Sequence, residues 1–307
     1  TKAHAPEEDL LHFFDYMLKP NESKIAKLFE QDFVKKEVEN FRLSATNLNS
    51  YLKCPVSFFY QNIIRVPSSK NDSMTFGSAI HSAIDKLYQE RIGIKSESDA
   101  IEILTEEYTY EMNNNKESFT KANFERRLYY GKEILTKYYQ NYSSHILNEK
   151  NVETEVFLNN CEIDGVPIRG QIDKLTISEG KVHVVDFKTG QYKYGKSKVS
   201  PPIELIDNPK ESNFEKRYGG DYWRQILFYK ALLESNKSSS FEVTSGEIDF
   251  IEPVDGEYKK HKVYFTNEEY LFVRRQIKET FQRIQNLEFN QGCGDDHCIW
   301  CSFDKHN

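Results

Sequence analysis

The 307-residue sequence predicts an α/β sandwich, a mixed sheet flanked by helices. Three observations predict it. From about residue 152 the apolar residues change from helical spacing to a period of two. Three acid-glycine pairs, Asp164-Gly165, Glu179-Gly180 and Asp255-Gly256, punctuate that region as hairpin turns. Amphipathic segments with helical spacing stand before, between and after the strands.

The elements follow in order. Residues 1–40 form a helical, charged lead-in or linker, broken at Lys19-Pro20, and residues 41–307 form one domain. LSATNLNSYLKCPVSFFY (43–60) has a Ser/Thr cap and then apolar helical spacing, so it reads as one helix. TFGSAIHSAIDKLYQ (75–89) reads as a second, with Ile80, Ile84, Leu87 and Tyr88 on its inner face. Residues 97–147 read as two long Tyr-rich helices, a helical insert. VETEVFLNN, VPIRGQIDKLTI and KVHVVDFK are three strands of a meander. YWRQILFYKALLE (222–234) is an amphipathic helix, EVTSGEIDFIEP and KHKVYFT are two more strands, and a last helix runs from 267 to about 288.

Composition narrows the class. Hydrophobic residues make up 38% and the net charge is −7, which excludes an overall basic coat but not a local basic groove. No apolar run approaches the ~20 residues of a membrane helix, and no secretory segment opens the chain, so a cytoplasmic protein without a membrane partner is expected. The chain starts at Thr1 rather than Met, as expected of a piece of something longer. Five cysteines without an export signal point away from a disulfide framework.

Two motif strings overlap in HVVDFKTGQYKYGKSKVSPP (183–202). GQYKYGKS fits the phosphate loop of nucleotide hydrolases, which needs a helix beginning at its Lys-Ser pair. Pro201-Pro202 removes two backbone donors and disfavours helix before it, so no helix can run on from Ser197. The match is a coincidence of spelling.

DFK carries more. A two-residue loop at Glu179-Gly180 sets 178 opposite 181 and, continuing, Asp173 opposite Asp186, with Lys188 on the Asp186 face. Two carboxylates about 5 Å apart repel by roughly 3 kcal/mol at an effective dielectric of ~20. A divalent cation removes that penalty, and Mg²⁺ favours one or two carboxylates plus water and phosphate. Lys188 could then orient water or steady phosphate charge. The bland alternative is a surface hairpin neutralised by Lys188.

The ordered set FGSAIH, GQIDK, VVDFKTG and YWRQILFY resembles the RecB-type branch, with AddB, of the PD-(D/E)XK nucleases, over residues 43–307. The resemblance implies a restriction-endonuclease-like core. By it, His81, Asp173, Asp186 and the Phe187 backbone carbonyl hold a metal, Mg²⁺ or Mn²⁺. Lys188 completes the D-x-K pair, while Gln225 and Tyr229 form the Q-x-x-x-Y helix, catalytic and in contact with DNA. Lys193, Lys196 and Lys198, interleaved with Tyr192 and Tyr194, suit a nucleic-acid backbone and unstacked bases.

Cys293, Cys298 and Cys301 form C-x4-C-x2-C and need a fourth ligand. The resemblance supplies Cys54, joined with them around a 4Fe–4S cluster as a structural staple across 293–301. The family's usual spacing is C-x2-C-x5-C, so four-thiolate zinc stays open, as does His297 as a substitute ligand. Cys161 reads as a small buried side chain.

The function so implied is a metal-dependent DNA exonuclease domain. GGDYWRQILFY and the cysteine-rich ending resemble the C-terminal nuclease domain of bacterial UvrD/Rep-type helicases, which implies a helicase motor as partner and a role in double-strand-break repair. The competing readings are a catalytically silent DNA-binding module of the same fold and, weakened by Pro201-Pro202, a nucleotide-driven enzyme.

Overall fold

A computed structural model describes residues 31–67, 71–235 and 241–306. Most of the lead-in, including the break at Lys19-Pro20, lies outside the described residues. The elements are α1 (Gln31–Glu39), α2 (Ala45–Lys53), α3 (Asp72–Glu90), α4 (Glu97–Asn114), α5 (Lys121–Asn148), β1 (Val152–Ile163), β2 (Val166–Ser178) and β3 (Lys181–Gln191). Then come α6 (Asp221–Ser235), β4 (Glu242–Val254), β5 (Glu257–Val263), α7 (Asn267–Gln285) and α8 (Ile299–His306).

The five strands stand in chain order. β3 and β4 are parallel and every other neighbouring pair is antiparallel, so the sheet is mixed, as expected. The reason is topological: hairpins join antiparallel strands, and the one crossover carries α6. At each acid-glycine turn both residues have positive φ, for example 51° at Glu179 and 77° at Gly180. That is the backbone a tight two-residue hairpin requires, and glycine takes it without steric cost.

The helix expected over 43–60 is broken. Cys54 is extended (φ −159°, ψ 100°) and caps a new turn, Pro55–Phe58, by accepting from the Ser57 amide; a π-helical segment, Phe59–Ile63, follows. Pro55 is the cause, because its ring disfavours helical geometry at the residue before it.

The chain forms two compact units. Among the described residues, one contains 31–41, Ser50–Val66 and 282–306; the other contains Arg42–Asn49 and those between Pro67 and Phe281, hence the whole sheet. In the second, α3 buries Ile80, Ile84, Leu87 and Tyr88 as its spacing predicts, in one core with Leu104, Tyr108, Leu135 and Tyr138 of the insert. Val185 and Phe187 of β3 belong to that core, so the insert is a layer packed on the sheet. α6 buries Trp223, Ile226, Leu227 and Phe228, and a side chain on Gly246 of β4 would collide with Ile226.

Candidate active site

The β2–β3 hairpin has the predicted register, from Ser178↔Lys181 to Lys174↔Val185. Asp173 and Asp186 occupy the next position beyond that ladder. Asp173 Oδ2 accepts from the Phe187 amide at 2.8 Å and lies 3.5 Å from His81 Nδ1 on α3. The His81 ring meets Phe187 edge-on, with centroids 6.1 Å apart. One turn earlier, Gly77 lets α3 come close to Thr189: a Cβ there would sit 3.3 Å from its hydroxyl.

Asp186 is 1% exposed and sits in a closed circuit of polar groups. Lys188 Nζ donates to Gln225 Oε1 at 3.0 Å; Gln225 Nε2 donates to the Tyr229 hydroxyl at 2.7 Å; that hydroxyl donates to Asp186 Oδ1 at 2.9 Å. Lys188 Nζ also lies 2.6 Å from Asp186 Oδ2, an ion pair that closes the circuit. The circuit fixes every orientation. Because the Gln225 oxygen takes the ammonium, its NH₂ faces Tyr229, whose own proton must face Asp186. Gln225 and Tyr229 are four residues apart, on one face of α6. Tyr229 was also expected to touch DNA, but it is 2% exposed and its hydroxyl is engaged on both sides.

The electrostatics show a surplus of negative charge. Burial, and then the charge of Asp173, push the Asp186 carboxyl upward against the pull of Lys188. Burial alone would lower Lys188, yet Asp186 and Asp173 outweigh it and hold the ammonium above its ordinary value. His81 behaves alike: burial lowers it, and the Asp173 hydrogen bond and charge carry it above the usual imidazole range.

Sequence reasoning missed Glu155. His81, Glu155 and Asp173 each offer a ligand atom within 4.8 Å of the others, a group able to hold a metal ion. Asp186, expected in that set, is outside the group and is committed to Lys188 and Tyr229. Glu155 lies on β1 between the pairs Thr154↔Lys174 and Val156↔Ile172, hence opposite Asp173. Its φ is +50°, a conformation uncommon for a side-chain-bearing residue. Gln171 donates to its carboxylate, and burial followed by Asp173 pushes its pKa up to about 7.

Beyond Lys188, β3 runs into a short helical turn, Tyr192–Gly195, and a 3₁₀ turn, Lys196–Val199. The helical path stops before Pro201-Pro202, so no helix starts at Lys196-Ser197 and continues as a phosphate loop needs. Lys193 and Lys196 are exposed and Lys198 is half-buried. Among the described residues no carboxylate pairs with any of the three, whereas Lys174, Lys230 and Lys260 are all paired.

The four cysteines come together within the other unit. Their sulfurs lie within 4.8 Å of one another, Cys54 to Cys301 at 3.4 Å and Cys293 to Cys301 at 3.7 Å, without a disulfide. Bare Gly292 lets the loop pass: a Cβ there would be 2.9 Å from Cys301 Sγ. Burial pushes the Cys54 and Cys301 thiols up, whereas hydrogen bonds from its neighbours bring Cys298 down against burial. The donor set fits tetrahedral zinc or an iron–sulfur cluster. His297 is outside the group, and Cys161 is buried elsewhere against the Leu232 carbonyl.

The family model described as the PD-(D/E)XK nuclease superfamily matches residues 42–305. No curated protein matches the chain. Among solved structures, the crystal structure of SSO0001 is similar at 15% identity and a TM-score of 0.34, over 90% of this chain and 93% of that one. Among the described residues no helix is long and apolar enough to cross a membrane. The chain belongs to the PD-(D/E)XK nuclease superfamily.

Proposed function

We propose that this superfamily member is a Mg²⁺- or Mn²⁺-dependent DNA exonuclease of the RecB/AddB type. It would serve as the nuclease part of a helicase–nuclease that processes double-strand breaks. The observation that carries the reading is the Lys188 ammonium, held by Asp186 and Gln225 beside the His81–Glu155–Asp173 group.

His81, Asp173 and Glu155, with Asp186 and the Phe187 carbonyl alongside, are the residues that would hold the metal; three ligand atoms converging within 4.8 Å of one another fit such a cation. A divalent ion there supplies Lewis acidity toward water and the scissile phosphate. Lys188 orients the attacking water and steadies charge on phosphate oxygens. Gln225 and Tyr229 keep Lys188 and Asp186 in register, so they act chiefly through those groups. Lys193, Lys196 and Lys198 neutralise the incoming strand. Cys54, Cys293, Cys298 and Cys301 hold a 4Fe–4S cluster, with zinc the alternative.

The test is cleavage of linear single- and double-stranded DNA with Mg²⁺ or Mn²⁺, together with iron and zinc analysis. Wild type should degrade DNA from its ends, and Asp186→Ala should lose activity by at least about a hundredfold. Metal-dependent DNA binding without cleavage, identical in both proteins, would mean a silent binding module instead.

A further inference from the structure

Tyr222 stands on α6 one turn before Gln225, on the side of the helix that meets the site, and the circuit described above does not use it. Its ring centroid lies 4.7 Å from Lys188 Nζ and 5.3 Å from Lys198 Nζ. Both are within cation–π range, so the two ammonium groups are at most about 10 Å apart. Two donors of Lys188 face Asp186 and Gln225, and the aromatic ring provides a third attractive surface.

Lys198 is placed there by its backbone. A Cβ on Gly220 would lie 2.1 Å from the Lys198 carbonyl oxygen, and the Gly220 amide donates to Ser200 at 2.9 Å. Only glycine at the entry to α6 allows that approach. Gly195 is equally constrained: a Cβ there would sit 2.6 Å from Phe250 and 3.1 Å from Tyr222. The turn carrying Lys198 is thus held beside Phe250 and Tyr222 at one end and against Gly220 at the other. Lys193, by contrast, lies over its own neighbour Tyr194.

The charges around the ring do not balance. Asp186 meets Lys188, while among the described residues no carboxylate pairs with Lys198. Asp186 and Asp173 already answer Lys188, so Lys198 is the cation at this ring left to meet a further anion. We propose that Lys198 and Tyr222 form a phosphate subsite beside the scissile position. Lys198 binds the neighbouring phosphodiester of the strand, and Tyr222 is the positioning residue that fixes the separation of the two ammonium groups. The inference rests on the nuclease reading for the identity of the strand.

The test measures binding of a labelled single-stranded oligonucleotide to the full chain in EDTA, from 50 to 200 mM salt, alongside cleavage kinetics in Mn²⁺. Losing one phosphate contact to a single strand lowers the salt slope by about 0.7, so the affinity ratio of wild type to Lys198→Ala should shrink about threefold across that range. KM should rise, with kcat within about twofold. Tyr222→Phe, which keeps the ring, should resemble wild type, whereas Tyr222→Leu should lower kcat by about tenfold and raise KM. Lys259→Ala, which removes a lysine already paired with Glu257, is the control and should move neither. An unchanged salt slope in Lys198→Ala, or Tyr222→Phe as impaired as Tyr222→Leu, would overturn the subsite. If wild type binds DNA but does not cleave it, the nuclease reading falls, while the salt slope still decides the subsite.

Discussion

Two ion-paired lysines on neighbouring strands carry opposite electrostatic signatures. Lys174 of β2 is 3% exposed and meets both oxygens of Glu149, at 2.9 and 2.8 Å, with Tyr88 and Thr176 completing the group. Burial prevails there, and its pKa is lowered despite Glu149. Lys188 of β3 is half-buried, its side chain 20% exposed against 4% for Lys174, and its pKa is raised, because Asp186 and Asp173 together outweigh burial. Lys174 follows Asp173 directly, so alternation along β2 puts the two on opposite faces. One lysine to one carboxylate is a structural pair. Lys188 faces two carboxylates, Asp186 and Asp173, and that second anion is what distinguishes the candidate site from an ordinary buried ion pair.

The largest expected effect separates the two lysines by activity. Lys188→Ala should reduce DNA cleavage by about 10²- to 10⁴-fold, the span typical of a positioned acid–base group, while the far-UV CD spectrum stays unchanged. Lys174→Met should do the converse. It strands Glu149 inside the protein and should cost about 3–5 kcal/mol of stability, read by urea unfolding, with cleavage per folded molecule kept near wild type. Equal loss of cleavage in both folded variants would erase the distinction.

A smaller effect lies in pH. Burial and then Asp173 push the Glu155 carboxyl from the ordinary 4.5 up to about 7, so the metal-free folded protein binds more protons there than the unfolded chain. Its contribution to stability is complete below about pH 4.5 and is lost as pH rises through about 7. Unfolding measured in EDTA across that window should therefore show stability falling with pH more steeply in wild type than in Glu155→Gln. Parallel profiles would remove Glu155 from the charge surplus.

These contrasts also show which parts of the molecule could be read in its sequence. The sheet was legible because tight turns have demanding chemistry: Glu179-Gly180 sets the register that carries Asp173 and Asp186 to one position. Gln225 and Tyr229 were legible as a spacing, but the closed circuit was not, since it depends on how α6 meets β3. Glu155 was hidden by parity. Glu153 and Glu155 alternate identically in VETEVF, and only the left-handed backbone at Glu155 and its place opposite Asp173 single it out. The break at Cys54 was legible in principle from Pro55, but the apolar spacing across it gave a continuous helical pattern.

The most direct test of the surplus is thermal unfolding of wild type and Asp173→Asn, each in EDTA and in saturating Mn²⁺. Asparagine keeps an acceptor for the Phe187 amide and removes the charge. The charge-surplus account predicts that Asp173→Asn is more stable than wild type in EDTA. It also predicts that Mn²⁺ at about a hundredfold over its Kd stabilises wild type by about 2.7 kcal/mol and the variant by much less. Equal stability in EDTA with equal Mn²⁺ shifts would contradict it.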